Sequence, residues 1–425
     1  MKRILTIAAI VIVLLGLVIG AYFWWQGHNA ASLTVNNTPV QNPFGSTGTP
    51  NGTGQGATVD NTQTTQPAAP AAQIAPRLVR IAAGPVAHGV VVIPVVIPGV
   101  PAVTTTASST APAAATTTDT EVRYIERESG NVYSYDIHSN VLTRISNRTI
   151  PGAIEASWLP SGGMSYLRFV STDANTVQHV DTYALPSDGV GGYALPEDTT
   201  QVTTTFGSST TSALLTIASG DNGSVATLSG PNGEKAKTLF TTILNQIKAF
   251  STRTATYVET LPSIQMPGYA FTVDTGGNFV RFIGPLSGLS ILPNHAGTQI
   301  LYSYIDGSQL KLAAYTVATH TSTPLPVATL AEKCVWGPDD NSVYCGVPVS
   351  LPNATLPDDW YQGAVSFSDR IWRIDFSSRI AELVVNLPAL NTNGAIDVVS
   401  LAVDPANDAL SFVNKADGSV WSYDL

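Results

Sequence analysis

The chain has 425 residues, of which 12% are charged, and a net charge of -10 with a pI near 5.0. So acidic a chain, so poor in lysine and arginine, is excluded as a non-specific nucleic-acid binder, because that binding rests on neutralising phosphates. The length allows two or three domains or one large closed all-β domain.

Met1, Lys2 and Arg3 precede an uncharged run, residues 4–25, which as a helix would reach about 33 Å, close to the thickness of a bilayer's hydrocarbon core. Residues 1–25 therefore predict a cytoplasmic stub and single transmembrane anchor. Lys2 and Arg3 place the N-terminus in the cytoplasm, Phe23, Trp24 and Trp25 suit the far interface, and everything beyond is extracytoplasmic. A cleaved signal peptide is the alternative, with Ala30 and Ala31 available to a peptidase; the run exceeds the usual signal core of about 7 to 15 residues. No cysteine follows the run closely, which excludes a lipoprotein anchor.

Residues 26–76 are mainly Asn, Thr, Gly, Ala, Pro and Gln, with few apolar residues and Asp60 as the single charged one. Such a stretch buries too little surface to offset chain entropy and predicts a disordered tether with an r.m.s. span of about 40 Å. A glycosylated Thr-rich stalk has the same composition.

From residue 77 onward the sequence predicts β-structure. Residues 78–81 and 86–97 are β-branched runs broken by Gly and Pro, and a low-complexity loop, residues 104–120, separates them from the main body. One segment, 238–250, fits a helix or a strand pair. Elsewhere one pattern recurs, strand, Pro-containing turn, strand, at 156–167, 289–300, 333–347 and 399–410. Pro160 to Pro293 is 133 residues, about three steps of 44, and Pro293 to Pro338 is 45, matching the roughly 40 to 45 residues of a four-stranded propeller blade. Pro338 to Pro405 is 67 and implies an insertion. Residues 121–146 hold three strands with no leading one, and residues 398–425 hold three with no trailing one. Residues 78–81 fit the missing outer strand and 86–92 the missing inner strand, so the ends would interleave and leave no open edge. The expectation is an all-β chain: a single β-propeller over 77–425, of seven four-stranded blades, with six or eight as alternatives.

The strings Ser-Trp-Leu-Pro-Ser-Gly-Gly (157–163) with a following Tyr-Leu, and Val-Trp-Gly-Pro-Asp-Asp-Asn (335–341) with a following Val-Tyr, resemble the WD-repeat-like units of TolB-like β-propellers. The full Trp-Ser-Pro-Asp-Gly string occurs in none of the four hairpins. Anchor, tether and propeller together are similar to the layout of membrane-anchored bacterial envelope proteins. The resemblance implies protein partners at the cell envelope.

Two features single out candidate residues. In the 333–347 hairpin, pairing Val335 with Tyr344 and Trp336 with Val343 sets Cys334 opposite Cys345, the only cysteines in the chain. Register and a disulfide then predict each other, and a disulfide fits an exported domain; two buried thiols are the alternative. The insertion lies between Val347 and Phe367, where Asp358, Asp359, Trp360, Tyr361 and Gln362 set carboxylates beside large amphipathic rings. That mixture suits a binding surface. It equally suits a plug that packs the loop on its own blade.

The six histidines lack ligand spacing, and no zinc, nucleophile-elbow or phosphate-loop motif occurs. Asp306-Gly-Ser308 and Asp417-Gly-Ser419 are read as hairpin turns, and Asn147, Asn222 and Asn353 open glycosylation triplets. The sequence thus predicts a tethered extracytoplasmic binding or scaffold module, with no cofactor or metal and an envelope protein or cell-wall polymer as partner. The rivals are a hydrolase or lyase acting on envelope glycan or peptide, marked by a central carboxylate of strongly raised pKa, and a purely architectural protein.

Overall fold

The structure, a computed structural model, describes residues 77–97, 117–174, 176–206, 212–391 and 394–425. The expected anchor and tether lie outside the described residues. Among the described residues no helix is long and apolar enough to cross a membrane.

Alternation of apolar and polar residues between tight turns makes this part all-β. Six sheets form, five of four strands and one of seven, each built from neighbouring strands except one. In that one, Leu78–Ala82 pairs with Val420–Asp424, which pairs with Ala409–Asn414 and then Val398–Val403. The early strand completes the sheet made by the last three, as the unmatched ends of the sequence implied. Burial grades across a sheet: Ala409–Asn414 is buried throughout, whereas the outer strand Val141–Arg144 is exposed throughout.

Two boundaries differ from the sequence reading. The inner strand of the sheet spanning 91–144 is Val91–Ile97, starting later than expected, because Val86 and His88 instead bridge Glu126 and Glu155. Pro94 sits in that strand opposite Thr120. An innermost strand has one unpaired edge, where a missing N–H costs no ladder bond. The next strand, Thr117–Ile125, begins inside the low-complexity stretch. The ambiguous segment 238–250 is β, with Lys237–Thr242 closing one sheet and Ile247–Ser251 opening the next.

The seven-stranded sheet turns on Phe279–Pro293, which is 15 residues long. Residues 279–287 pair with Pro267–Val273, and residues 287–293 pair with Gln299–Asp306, with a register break between Ser287 and Ser290. One strand is thus the last of one meander and the first of the next.

The recurrent turn motif has a physical role. Trp158 Nε1 donates to Gly89 O at 3.3 Å, and Trp336 Nε1 donates to Leu292 O at 2.9 Å. Each tryptophan fastens its hairpin to the inner strand region of the sheet before it. Asp340, in the turn after Pro338, accepts from His295 N at 2.8 Å and pairs with Arg253 at 3.3 Å, tying two adjacent turns. Gly89 is required by close approach, since its φ is +124° and a Cβ would fall 1.9 Å from Ala156 O.

Cys334 and Cys345 stand directly opposite, Cα atoms 4.1 Å apart, and are joined by a disulfide in the register read from the sequence. The bridge closes an 11-residue separation, worth about 3 kcal/mol in the chain-entropy model. Replacing both cysteines by serine is expected to lower unfolding stability by about that amount, measured by denaturant unfolding beside the parent under reducing and non-reducing conditions. An unchanged midpoint in both comparisons would refute a stabilising role for the bridge.

Candidate functional site

The insertion enters the middle of the molecule. Asp358–Tyr361 forms a single helical turn. Asp358 accepts from Ser263 Oγ and Ile264 N, each at 2.8 Å, which fastens the loop to the segment between Thr256–Thr260 and Pro267–Val273, while Asp359 accepts from Thr355 N at 2.7 Å within the loop. Trp360 is 4% exposed and belongs to an apolar cluster with Val86, Val90, Val122, Leu310 and Val399, residues from several sheets. Tyr361 and Gln362 are exposed. Of the five candidate residues, two therefore brace the loop, one packs in the centre, and two face solvent.

Trp360 is held by a buried ionic network that the sequence reading did not find. Lys333 is fully buried, 2.8 Å from Asp369 Oδ2, paired with Asp397 Oδ1, and 2.9 Å from Val398 O. Asp397 Oδ2 accepts from Trp360 Nε1 at 2.9 Å, Phe367 N at 3.0 Å and Ser366 Oγ at 3.1 Å. The Phe367 ring lies parallel to that of Trp360, centroids 6.0 Å apart. Burial pushes the Asp369 carboxyl up to about 6 against the pull of Lys333.

Beside the loop lies a cavity of ≈650 Å³ lined by His88, Glu155, Lys248, Glu332, Tyr361, Ser400 and Lys415 among others. His88, Glu155, Lys248, Glu332 and Ser400 lie on the first strands of several sheets or on the approaches to them, while Tyr361 comes from the inserted loop and Lys415 from a turn, so the cavity lies in the channel those first strands surround. Its charges are mostly matched, with Lys248 to Glu332 at 3.1 Å and Glu155 to Arg168 at 2.9 Å. Burial alone would lower Lys248, yet Glu332 and Glu259 hold it above its usual value. The Tyr361 side chain is only partly exposed, 39%, and its phenol end is desolvated; that burial first, then the charges of Glu332 and Glu259 and a hydrogen bond to Glu332, keep it well above its ordinary pKa. Ser400 has φ +50° where Val398–Val403 loses register with its partner between Val399 and Ala402, a strained bulge of the kind that re-aims groups at functional sites.

Behind Lys248, directly opposite it in the strand pairing, lies Glu259. It is fully buried and has one oxygen without a partner among the described residues. Burial pushes its carboxyl up to about 8, with Lys248 opposing and Glu332 adding to the rise.

No known family pattern matches the sequence, and no curated protein is found as a relative. Among solved structures, oligogalacturonate lyase from Vibrio parahaemolyticus superposes with a TM-score of 0.50 and 7% identity, over 72% of this chain and 86% of that one. The fold is a β-propeller. The propeller domain of the Trilobed protease from Pyrococcus furiosus also superposes (TM-score 0.47, 9% identity, 72% and 90% of the chains), as does TolB from Acinetobacter baumannii (0.40, 11%, 69% and 78%). At these identities the likeness speaks to fold alone.

Within the propeller, the one group of three metal-capable side chains among the described residues is Asp119, Asp136 and His138. It lies outside the channel lining, and both carboxylates already accept turn or strand amides, Thr120 N and Ser139 N. Lys248 and Glu259 gave no signal in the sequence because each is a lone charge in its strand, and the adjacent pair Glu332-Lys333 reads as an ordinary charged turn before a strand. The available hint was a charge inside a strand pattern, as in Ile-Lys-Ala-Phe (247–250) and Val-Glu-Thr (258–260).

Two outcomes follow from the buried charges. Lys333→Met leaves two carboxylates facing each other without a cation, and the expected cost is about 3 to 5 kcal/mol in denaturant unfolding; a loss below 1 kcal/mol would refute the network's role. For Glu259 the folded pKa lies above the unfolded one, so the native state retains a proton that the unfolded chain has released, and stability falls as pH rises. Between pH 6.5 and 8, above the Asp369 transition, the slope should approach about 1.4 kcal/mol per pH unit for that one proton. Glu259→Gln should remove it, and a slope unchanged in that variant would overturn the assignment.

Proposed function

We propose that this chain is a binding propeller of seven blades, tethered to a membrane by residues 1–25 and displayed outside the cytoplasm, which captures an envelope protein or polymer at its channel pocket. The seven-blade reading divides the seven-stranded sheet at Ser287 into two blades sharing Phe279–Pro293. The observation that carries the binding reading is the ≈650 Å³ channel cavity, a size within the ordinary range for ligand pockets, with a few convergent polar groups around it. Tyr361 supplies the exposed aromatic wall; Asp358, Asp359 and Trp360 hold it there.

Binding is favoured over catalysis by where the proton-holding carboxylates sit. Glu259 and Asp369 have raised pKa values, but both are fully buried and neither lines the cavity. The carboxylates that do line it, Glu155 and Glu332, are paired with cations. A hydrolase or lyase acting on envelope glycan or peptide remains the second reading, supported by the single fact that Glu259 lies one side chain behind the wall.

The experiment is a channel block. Ser400→Cys, in the cavity wall, and Ser308→Cys, in an exposed turn, are each labelled with a bulky maleimide, and retention of the full chain on envelope from its own source is measured. The Ser400 label is expected to cut retention at least tenfold and the Ser308 label to leave it unchanged. Equal retention would remove the channel as the binding site.

A further inference from the structure

One cation in the cavity wall is not matched by a carboxylate. Lys415 lies in the turn between Ala409–Asn414 and Val420–Asp424. Its Nζ donates to Trp360 O and stands 4.3 Å above the Trp360 ring. Among the described residues it makes no ion pair within contact distance. Asp397 attracts it only from afar, that carboxylate being occupied by Lys333, Trp360, Ser366 and Phe367. Burial lowers its pKa; Asp397 works against this and Lys333 with it. His88 lines the same wall, and its pKa is lowered, first by desolvation of its imidazole and then by Arg127 and Lys415, against the pull of Glu155. The cavity wall therefore presents an ammonium with unused N–H donors and, in the same lining, an imidazole within its electrostatic reach.

We propose that Lys415 and His88 receive the terminal carboxylate of a peptide segment that enters the channel. The proposal rests on the binding reading above and names the chemistry of its ligand. A single unmatched cation fits a single negative charge. A phosphate dianion would bring a second charge against Glu155 and Glu332 in the same cavity. A peptide is favoured over a uronic acid by the neighbouring backbone: Ser400 and Leu401 line the cavity and drop out of register with the adjacent strand. An inner strand displaced in this way offers main-chain groups to an extended peptide, the mode in which main-chain bonds give affinity and a charge fixes the end. Trp360, beneath Lys415, excludes water from the ammonium's other side and strengthens its attraction for an anion.

The test is calorimetric titration of the full chain with tri-alanine, its C-terminal amide and glucuronate. Tri-alanine is expected to bind at least tenfold more tightly than the amide. Lys415→Met should abolish that difference, and Lys415→Arg should keep it, because the cation is restored. Equal binding of acid and amide by the parent, or discrimination that persists in Lys415→Met, would overturn the carboxylate subsite. Binding of glucuronate without tri-alanine would overturn the peptide assignment. If no probe binds while the Ser400 label still blocks envelope retention, the carboxylate proposal fails and the channel reading stands. If that label has no effect either, both fail.

Discussion

Everything at the centre of this propeller depends on one buried ammonium. Lys333 precedes the first strand of its sheet, Asp369 begins the third, and Asp397 precedes the first strand of the next sheet. A single side chain thus joins three places where the chain approaches the channel. Taking these charges out of water is costly, and ion pairs of this kind are weak contributors to net stability against an apolar alternative. Their value here is geometric. Because Asp397 accepts the Trp360 indole and the Phe367 amide, the charge that satisfies Lys333 also decides where the inserted loop sits. The position of Tyr361, one residue on, follows from that.

The cavity is therefore a by-product of how the loop is anchored as much as of how the strands are arranged. Asp358 reaches Ser263 and Ile264, whereas Trp360 reaches Asp397. The loop is thus held by two separate parts of the chain, and Trp360 and Tyr361 form the part of it that lines the cavity. In that volume the paired charges resist rearrangement, since removing either member would strand its partner in a poorly solvated wall. Lys415 is the departure from this pattern, and it sits over the very ring that the network positions.

How much of this could be read from the residues is clearest in the hairpin at 333–347. Its turn chemistry, its short apolar strands and its cysteine spacing all depend on local geometry, so pairing register and disulfide were legible together. The joining of Leu78–Ala82 to Val420–Asp424 was legible from an imbalance in strand number. The long strand Phe279–Pro293 was less so, because a strand serving two sheets carries no turn to mark the change; only Gly284, Pro285 and Gly288 interrupt it. The insertion was recognised as the distinctive loop, with packing and display both open, and the structure divides those roles residue by residue. The ionic network was invisible for a different reason. Lys333 and Asp397 are 64 residues apart, and nothing in a local pattern says that two distant charges will share one burial site.

The pairing of Leu78–Ala82 with Val420–Asp424 also sets an order of events. Arg77 Nε donates to Asp424 O across 347 residues of sequence, so nearly the whole domain must exist before that sheet can be completed. During synthesis the early strand emerges first and waits with both edges bare, a condition that invites association with other chains. Contacts of such large sequence separation slow folding, because loop closure must precede their reward. The arrangement that leaves the finished ring without a loose sheet thus makes the nascent chain dependent on residues as far as 347 positions downstream, and a ribosome that stalls short of Val420 would release a ring that has no means of shutting.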